Sequence, residues 1–232
     1  MLTDQEKQKI RKLKIAFIGR PGTGKGTQTE ILHQETGLVL IPSPGDLYRD
    51  PEFRKTPLGK KIGEGVDKGI FAPNEVTNQI MKDKILSLTN RNQEGFISEG
   101  YPRTLPQAEF TDKEIGLDWM INFEVPENQL VKRLSQRRVC PKCKANYNFL
   151  TNPPKKDNLC DICQVELILR DDDRPENIKN RFAIYHQTAE PTIEHYRRQN
   201  KVIDINGDRP IAVVAEDVLR AILSKVCQVV KV

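Results

Sequence analysis

The apolar positions of this chain fall in short runs separated by longer amphipathic stretches. Lys14 to Gly19 reads KIAFIG, an apolar run fit for a strand buried on both faces, and it passes through the glycine-rich GRPGTGKGT into the helical TQTEILHQ. GLVLI, GFISEGYPRT, WMINFEV and KVIDING supply further strand candidates, the second of them ending in a sharp, proline-marked loop. Between them lie helical stretches. GDLYRD opens a helix, LGKKIGEGVDKG is helical with Gly69 near its end, and NEVTNQIMKDKILSL carries Val76, Ile80, Ile85 and Leu88 approximately on one face. PENQLVKRLSQRR has Pro126 in its first turn. In DRPENIKNRFAIYHQTAEPTIEHYRRQ, Asp173 is the expected N-cap, Glu176 its capping-box partner and Pro175 a tolerated first-turn proline, and PIAVVAEDVLRAILSKV is the closing helix. About five strands alternating with helices predict an α/β fold, a doubly wound and mostly parallel sheet.

Composition narrows the class. With 232 residues and 37% apolar content the chain suits one compact domain with small insertions. No run approaches the roughly 18 to 20 apolar residues of a membrane span. The net charge of +5 looks at first like a nucleic-acid signal. Lys7, Lys9, Arg11, Lys12 and Lys14 against Asp4 and Glu6 place +3 of it before the first strand, leaving about +2 for the body. These first residues contain no apolar segment and no small-residue cleavage site, so they read as a solvated extension of a cytoplasmic protein.

Residues 138 to 173 break the α/β rhythm. Cys140-Pro-Lys-Cys143 and Cys160-Asp-Ile-Cys163 are two CxxC pairs with sixteen residues between them. Each two-residue gap lets both thiolates reach one ion at about 2.3 Å, and two such knuckles complete a tetrahedral zinc shell. Redox pairs are the competing reading, disfavoured in a reducing compartment. A closed four-ligand site leaves no open position for substrate, so zinc here is expected to organise a loop and not to perform chemistry. Cys227 reads as a small, buried or half-buried apolar residue of the last helix.

Residues 19 to 27 approach the phosphate-loop pattern GxxxxGK[ST], with Gly26 directly after Lys25 and Thr27 one place late. Glycines at 22, 24 and 26 let backbone N–H groups converge on phosphate oxygens at a helix N-terminus, and Lys25 adds a point charge. Such a loop fits an ATPase, a GTPase or a kinase.

The remaining motifs narrow the choice. GxPGxGKGTQ at Gly19 to Gln28, GDLYR at Gly45 to Arg49, GYPRTLPQAE at Gly100 to Glu109, RLSQRRVCPKC at Arg133 to Cys143 and DDRPENIKNRF at Asp172 to Phe182 occur in one order. In this the chain resembles adenylate kinase, in the long form whose lid carries zinc, over about residues 13 to 226. The resemblance implies a monomeric phosphate-loop kinase that moves a phosphoryl group between MgATP and AMP, with Mg²⁺ and structural Zn²⁺. It implies an N-terminal extension (1–12), a core (13–232), an AMP-binding helical segment (43–72) and a zinc-binding lid (136–173). AMP would lie between Pro44, Arg49, the backbone of Ile70, Phe71 and Ala72, the loop Gly100, Tyr101, Pro102 and Arg103, and Gln107, whose amide can pair with the adenine edge. ATP would meet Gly22, Thr23, Gly24, Lys25, Gly26 and Thr27, with Arg133 against its adenine, Arg137 against its phosphates, Asn146 and Tyr147 beneath the lid, and the backbone near Arg209. Lys25, Arg103, Arg137, Arg170 and Arg181 would form the charge-stabilising set, Arg170 and Arg181 closing on the transferred phosphates, and Glu99 would hold Mg²⁺ through water.

The chemistry agrees with that assignment. Transfer between two nucleotides gathers on the order of six negative charges and leaves little covalent work for the protein, so positioning and charge stabilisation carry catalysis. Arginine suits this because its planar fork binds phosphate bidentately and stays protonated. Several positions depart from the family pattern. Pro44 stands where the family has a small, usually hydroxylated residue and so loses a contact to AMP, and Glu99 and Tyr101 stand for the usual Asp and Phe. Asp171 falls where the family often has a basic residue, Asp172 is read as fixing a lid arginine or a hinge, and Asp171 is given no role. Another monophosphate acceptor such as CMP or UMP, or GTP as donor, is the nearest alternative. A zinc-ribbon nucleic-acid-binding ATPase is a second, although interleaved aromatics on a basic patch are missing.

Overall fold

A computed structural model describes residues 2–67, 72–89 and 94–229, except for the side chains of 64–67 and 227–229. The expectations for Ile70, Phe71 and the Cys227 side chain lie outside the described residues. Five parallel strands, β1 (Lys14–Gly19), β2 (Val39–Ile41), β3 (Phe96–Glu99), β4 (Trp119–Glu124) and β7 (Val202–Asn206), form one sheet in the order β2-β3-β1-β4-β7. β5 (Arg137–Val139) and β6 (Asn146–Asn148) form a separate antiparallel pair. All five sheet strands are those the apolar runs predict.

Alternation along β1 shows how the sheet is covered on both faces. Ile15 and Phe17 point to one side, where they pack with Leu32 of α2 (Lys25–Thr36) and with Val214, Val218 and Ile222 of α10 (Ile211–Val229). Ala16 and Ile18 point to the other, against Ala108 of α7 (Leu105–Glu114) and Ala189, Ile193 and Tyr196 of α9 (Pro175–Arg198). Helices on both faces of a parallel sheet make the doubly wound architecture, whose ligands bind beyond the carboxyl ends of the strands.

Several local expectations are corrected. The N-terminal segment is not a solvated extension: α1 (Asp4–Ile10) is closed by a capping box from Thr3 and Glu6, and Ile10 is fully buried in the core. Arg11 Nε then donates to Thr36 O at the end of α2 (2.8 Å), and its guanidinium lies over Gly37. The buried face of α6 (Asn74–Leu88) is Thr77, Asn78, Met81 and Ile85, while Leu88 is exposed. The reason is polar: the Thr77 hydroxyl pairs with that of Tyr48 (2.6 Å), and the Tyr101 hydroxyl donates to Asn78 Oδ1 (3.0 Å). α8 (Glu127–Ser135) stops short of Arg137, which opens β5. Three helices occupy residues 44–67: α3 (Pro44–Arg49), α4 (Pro51–Lys55) and α5 (Pro57–Asp67), each started by a proline that suits a first turn.

Candidate active site

A cavity of about 710 Å³ opens at the carboxyl ends of β1 and β3. Its floor is the loop from β1 to α2. Gly24 is the N-cap of α2 at φ 91°, and no side chain caps the helix, so the first backbone N–H groups of α2 are left for an anion. A Cβ at Gly24 would meet nothing within 4 Å, so the positive φ, not space, demands glycine. At Gly26 the reason differs. A Cβ there would stand 3.2 Å from Glu99 Oε2, so the missing side chain lets the β3 carboxylate approach the first turn of α2. This accounts for glycine directly after Lys25, where the minimal motif has Ser or Thr.

Lys25 is buried, and its Nζ donates to Gly19 O (2.8 Å) and Arg20 O (3.0 Å). Burial pulls its ammonium down to about 7; Glu99 opposes the fall, and Arg103, Arg181 and Arg137 add to it. Those groups come from the ends of β3, the loop after it, α9 and β5. The site thus concentrates positive charge from separate elements around the phosphate loop.

The acidic run before α9 organises these arginines. Asp173, expected as an N-cap, is instead fully buried, and the cap position is Arg174 with no side-chain bond. Asp173 Oδ2 accepts from Arg137 Nε (2.6 Å), and its Oδ1 accepts from Arg137 Nη2 (2.6 Å) and Arg181 Nη1 (2.8 Å). A cap contact would satisfy one or two N–H groups, whereas two guanidinium ions in a partly buried site need a full counter-charge. Asp172 accepts a bidentate pair from Arg170 (2.9 and 2.8 Å), pairs with Arg181 at 3.4 Å and reaches Arg49 at 4.0 Å. Its arginine neighbours outweigh the opposing effect of burial and hold its carboxyl below the usual range. Among the described residues the Asp171 carboxylate pairs only with the exposed Arg174.

The cavity brings together Gly22, Thr23, Gly24, Lys25, Gly26, Thr27, Pro44, Arg49, Ala72, Glu99, Gly100, Arg103, Gln107, Arg133, Arg137, Asn146, Tyr147, Arg170, Arg181 and Arg209. Tyr101 and Pro102 are buried and do not line it; Tyr101 packs with Ile41, Met81 and Ile85. Arg133 is held by Gly207 O (3.0 Å) and Asp208 (3.1 Å), and Arg209 by Asp217 (2.5 Å). Gln107 is buried, with Oε1 accepting from Arg103 N–H (2.8 Å) and Nε2 donating to Asn74 Oδ1 (3.1 Å). Sequence reasoning missed Asn74 and Thr104 in this lining, although the T-x-x-Q spacing of Thr104 and Gln107 is a helix-start signal for α7. It also missed Ile184, Tyr185 and Thr188 of α9, which carry no motif.

Above the cavity the two CxxC turns repeat one geometry. Cys140 Sγ accepts from Cys143 N–H and Cys160 Sγ from Cys163 N–H, both at 3.4 Å, and the residues that follow, Lys144 and Gln164, have positive φ. The four sulfur atoms lie within 4.8 Å of one another, and Cys143 Sγ stands 3.6 Å from Cys160 Sγ. Four thiolates about 2.3 Å from one ion in a tetrahedron would be roughly 3.8 Å apart, so the set fits four-coordinate zinc. Tyr147, expected at the nucleotide, turns its hydroxyl to Cys160 (3.5 Å) and accepts Asp161 N–H (2.9 Å), so that only part of the side chain reaches the cavity.

Comparison with known proteins agrees with this arrangement. The family model for adenylate kinase matches residues 17–201. Relatives named adenylate kinase include one from Archaeoglobus fulgidus, 41% identical over 92% of this chain and 99% of its own. Another, from Petrotoga mobilis, is 40% identical over 91% and 98%, and one from Caldicellulosiruptor saccharolyticus is 37% identical over 90% and 99%. A phosphate loop, a ring of arginines and end-to-end similarity of this extent lead to one conclusion: the chain belongs to the adenylate kinase family.

Proposed function

We propose that the cavity is the transfer site of this ATP:AMP phosphotransferase, with the two nucleotides meeting over Lys25, Arg103, Arg137, Arg170 and Arg181. The observation that carries the reading is that Arg103, Arg137, Arg170 and Arg181, from separate elements, line one cavity with Lys25 of the phosphate loop. In it the uncapped start of α2 and Lys25 hold the donor phosphates, and Arg49 and Arg103 hold the acceptor phosphate. Arg137, Arg170 and Arg181 spread the charge that develops on the group in flight. Arg133, fixed against the Gly207 to Asp208 loop, and the backbone at Arg209 hold the donor adenine; Gln107 and the backbone near Ala72 hold the acceptor base. Glu99, beside the first turn of α2, would hold through water the magnesium that accompanies the triphosphate, and that ion would supply further charge neutralisation. Cys140, Cys143, Cys160 and Cys163 would hold zinc as a structural ion.

Segments 43–72 and 136–173 are read as the two covers of the site, which exclude water so that ATP is not hydrolysed. The Arg49 to Asp172 approach supports this, since it joins one segment to the other. Among the described residues no helix is long and apolar enough to cross a membrane. A coupled assay with MgATP and AMP, CMP, UMP, GMP or dAMP tests the assignment. AMP is expected as the preferred acceptor, and preference for another monophosphate would overturn it.

A further inference from the structure

Gln107 presents an amide whose two ends could be exchanged by rotation at almost no cost in shape, yet the network around it permits only one arrangement. Arg103 N–H can only donate, so the atom facing it at 2.8 Å is Oε1. The other end, Nε2, donates to Asn74 Oδ1 at 3.1 Å. That oxygen also accepts from Thr104 Oγ1 (2.9 Å), whose hydroxyl oxygen in turn receives Gln107 N–H (3.4 Å). The chain of donors and acceptors is therefore closed. One acceptor position on Oε1 and one N–H on Nε2 remain for a ligand.

We propose that Asn74 is a positioning residue that sets the acceptor specificity by locking this amide in the sense that reads a 6-aminopurine. The inference rests on the reading of Gln107 as the acceptor-base contact. Adenine offers an amino donor at N6 beside an acceptor at N1, which match Oε1 and the remaining Nε2–H. Hypoxanthine reverses both, with an acceptor at O6 and a donor at N1. To receive it the amide would have to turn over, setting Nε2 against Arg103 N–H and Oε1 against Asn74 Oδ1, donor on donor and acceptor on acceptor. A site built this way rejects the reversed pattern because its own polar groups are left unpaired. Pro44, which also lines the cavity, has no side-chain polar atom to share the task.

Steady-state kinetics with AMP and IMP test this in wild type, Asn74→Ala and Asn74→Asp, the last keeping an acceptor oxygen in place. Asn74→Ala is expected to raise KM for AMP about fivefold, the worth of roughly one net hydrogen bond, and to lower the AMP-over-IMP ratio of kcat/KM by a similar factor. Its kcat and KM for ATP should move less than about twofold, and Asn74→Asp should restore both AMP readouts. Equal AMP parameters in wild type and Asn74→Ala, or an Asn74→Asp enzyme as impaired as the alanine variant, would overturn the proposal. If Asn74→Ala does not fold, Asn74→Ser, whose shorter side chain falls short of Gln107, provides the same comparison. Preference of the wild type for a monophosphate other than AMP would instead overturn the functional reading beneath it.

Discussion

The N-terminal helix offers a sharp test of the packing argument, because composition alone assigns it to solvent. Ile10 is fully buried among residues that include Ile15, Leu32 and Val218, so Ile10→Ala removes three carbons from a close-packed site. Such truncations cost about 2 to 5 kcal/mol, the spread reflecting how far the site collapses. For a protein of this size each kcal/mol lowers the melting temperature by about 2 to 4 °C, giving an expected fall of roughly 4 to 20 °C. The effect should appear in thermal and urea unfolding and not in substrate affinity, because no α1 residue lines the cavity. Calorimetry of wild type and Ile10→Ala, with KM for both nucleotides at 25 °C, separates the two. A melting temperature lowered by less than about 2 °C would refute the burial argument and return the segment to solvent.

Four further outcomes are expected. Arg103→Ala should lower turnover by orders of magnitude with a melting curve close to wild type; near-normal turnover would remove Arg103 from the proposed phosphate clamp. Lys25, held at about 7 by burial, is mostly neutral above that pH in the free enzyme and must regain its proton to meet phosphate. kcat/KM for ATP should therefore fall, by up to about tenfold per unit, between pH 7.5 and 9, and a flat profile would contradict the shift. If the four cysteines hold zinc as proposed, a chelator should lower thermal stability, chiefly in residues 136–173, whereas an unchanged melting temperature would mean the four thiols are not a structural zinc site. Asp173→Asn should destabilise by about 3 to 5 kcal/mol in urea, because it takes the paired carboxylate from the partly buried Arg137 and leaves Arg181 only its 3.4 Å approach to Asp172; a loss under 1 kcal/mol would show that solvent screens them.

Strands were readable in the sequence because parallel strands buried on both faces are mostly apolar, as in KIAFIG after Lys14 and in WMINFE apart from Asn122 and Glu124. Helix faces were less so. On α6 the period selects Val76, Ile80, Ile85 and Leu88, of which Ile85 is buried, but the buried side also rests on Thr77 and Asn78, whose partners Tyr48 and Tyr101 lie in other elements. A buried hydroxyl looks like a solvent-facing one until its partner is known. The N-terminal segment hides its packing for a different reason: a single buried isoleucine among seven mostly charged and polar residues carries no periodicity, and the contact from Arg11 to Thr36 spans 25 residues.

The arginines were legible by motif, and so was Asp172 as a partner of a lid arginine, Arg170; the role of Asp173 was not, and the geometry of those pairs bears on how phosphate could enter. A guanidinium has five N–H groups in a fixed fork, so a carboxylate on one edge need not consume the other. Arg137 gives Nε and Nη2 to Asp173, and Arg170 gives Nε and Nη2 to Asp172, each retaining Nη1. Among the described residues Arg181 gives only Nη1, to Asp173 and to Asp172 O. On the proposed reading the aspartates aim the arginines and do not compete with the nucleotides: phosphate oxygens can take the remaining N–H groups while the buried pairs stay intact. The desolvation of these cations is then met during folding and not at each binding event, which leaves more of the phosphate contact energy for the transition state.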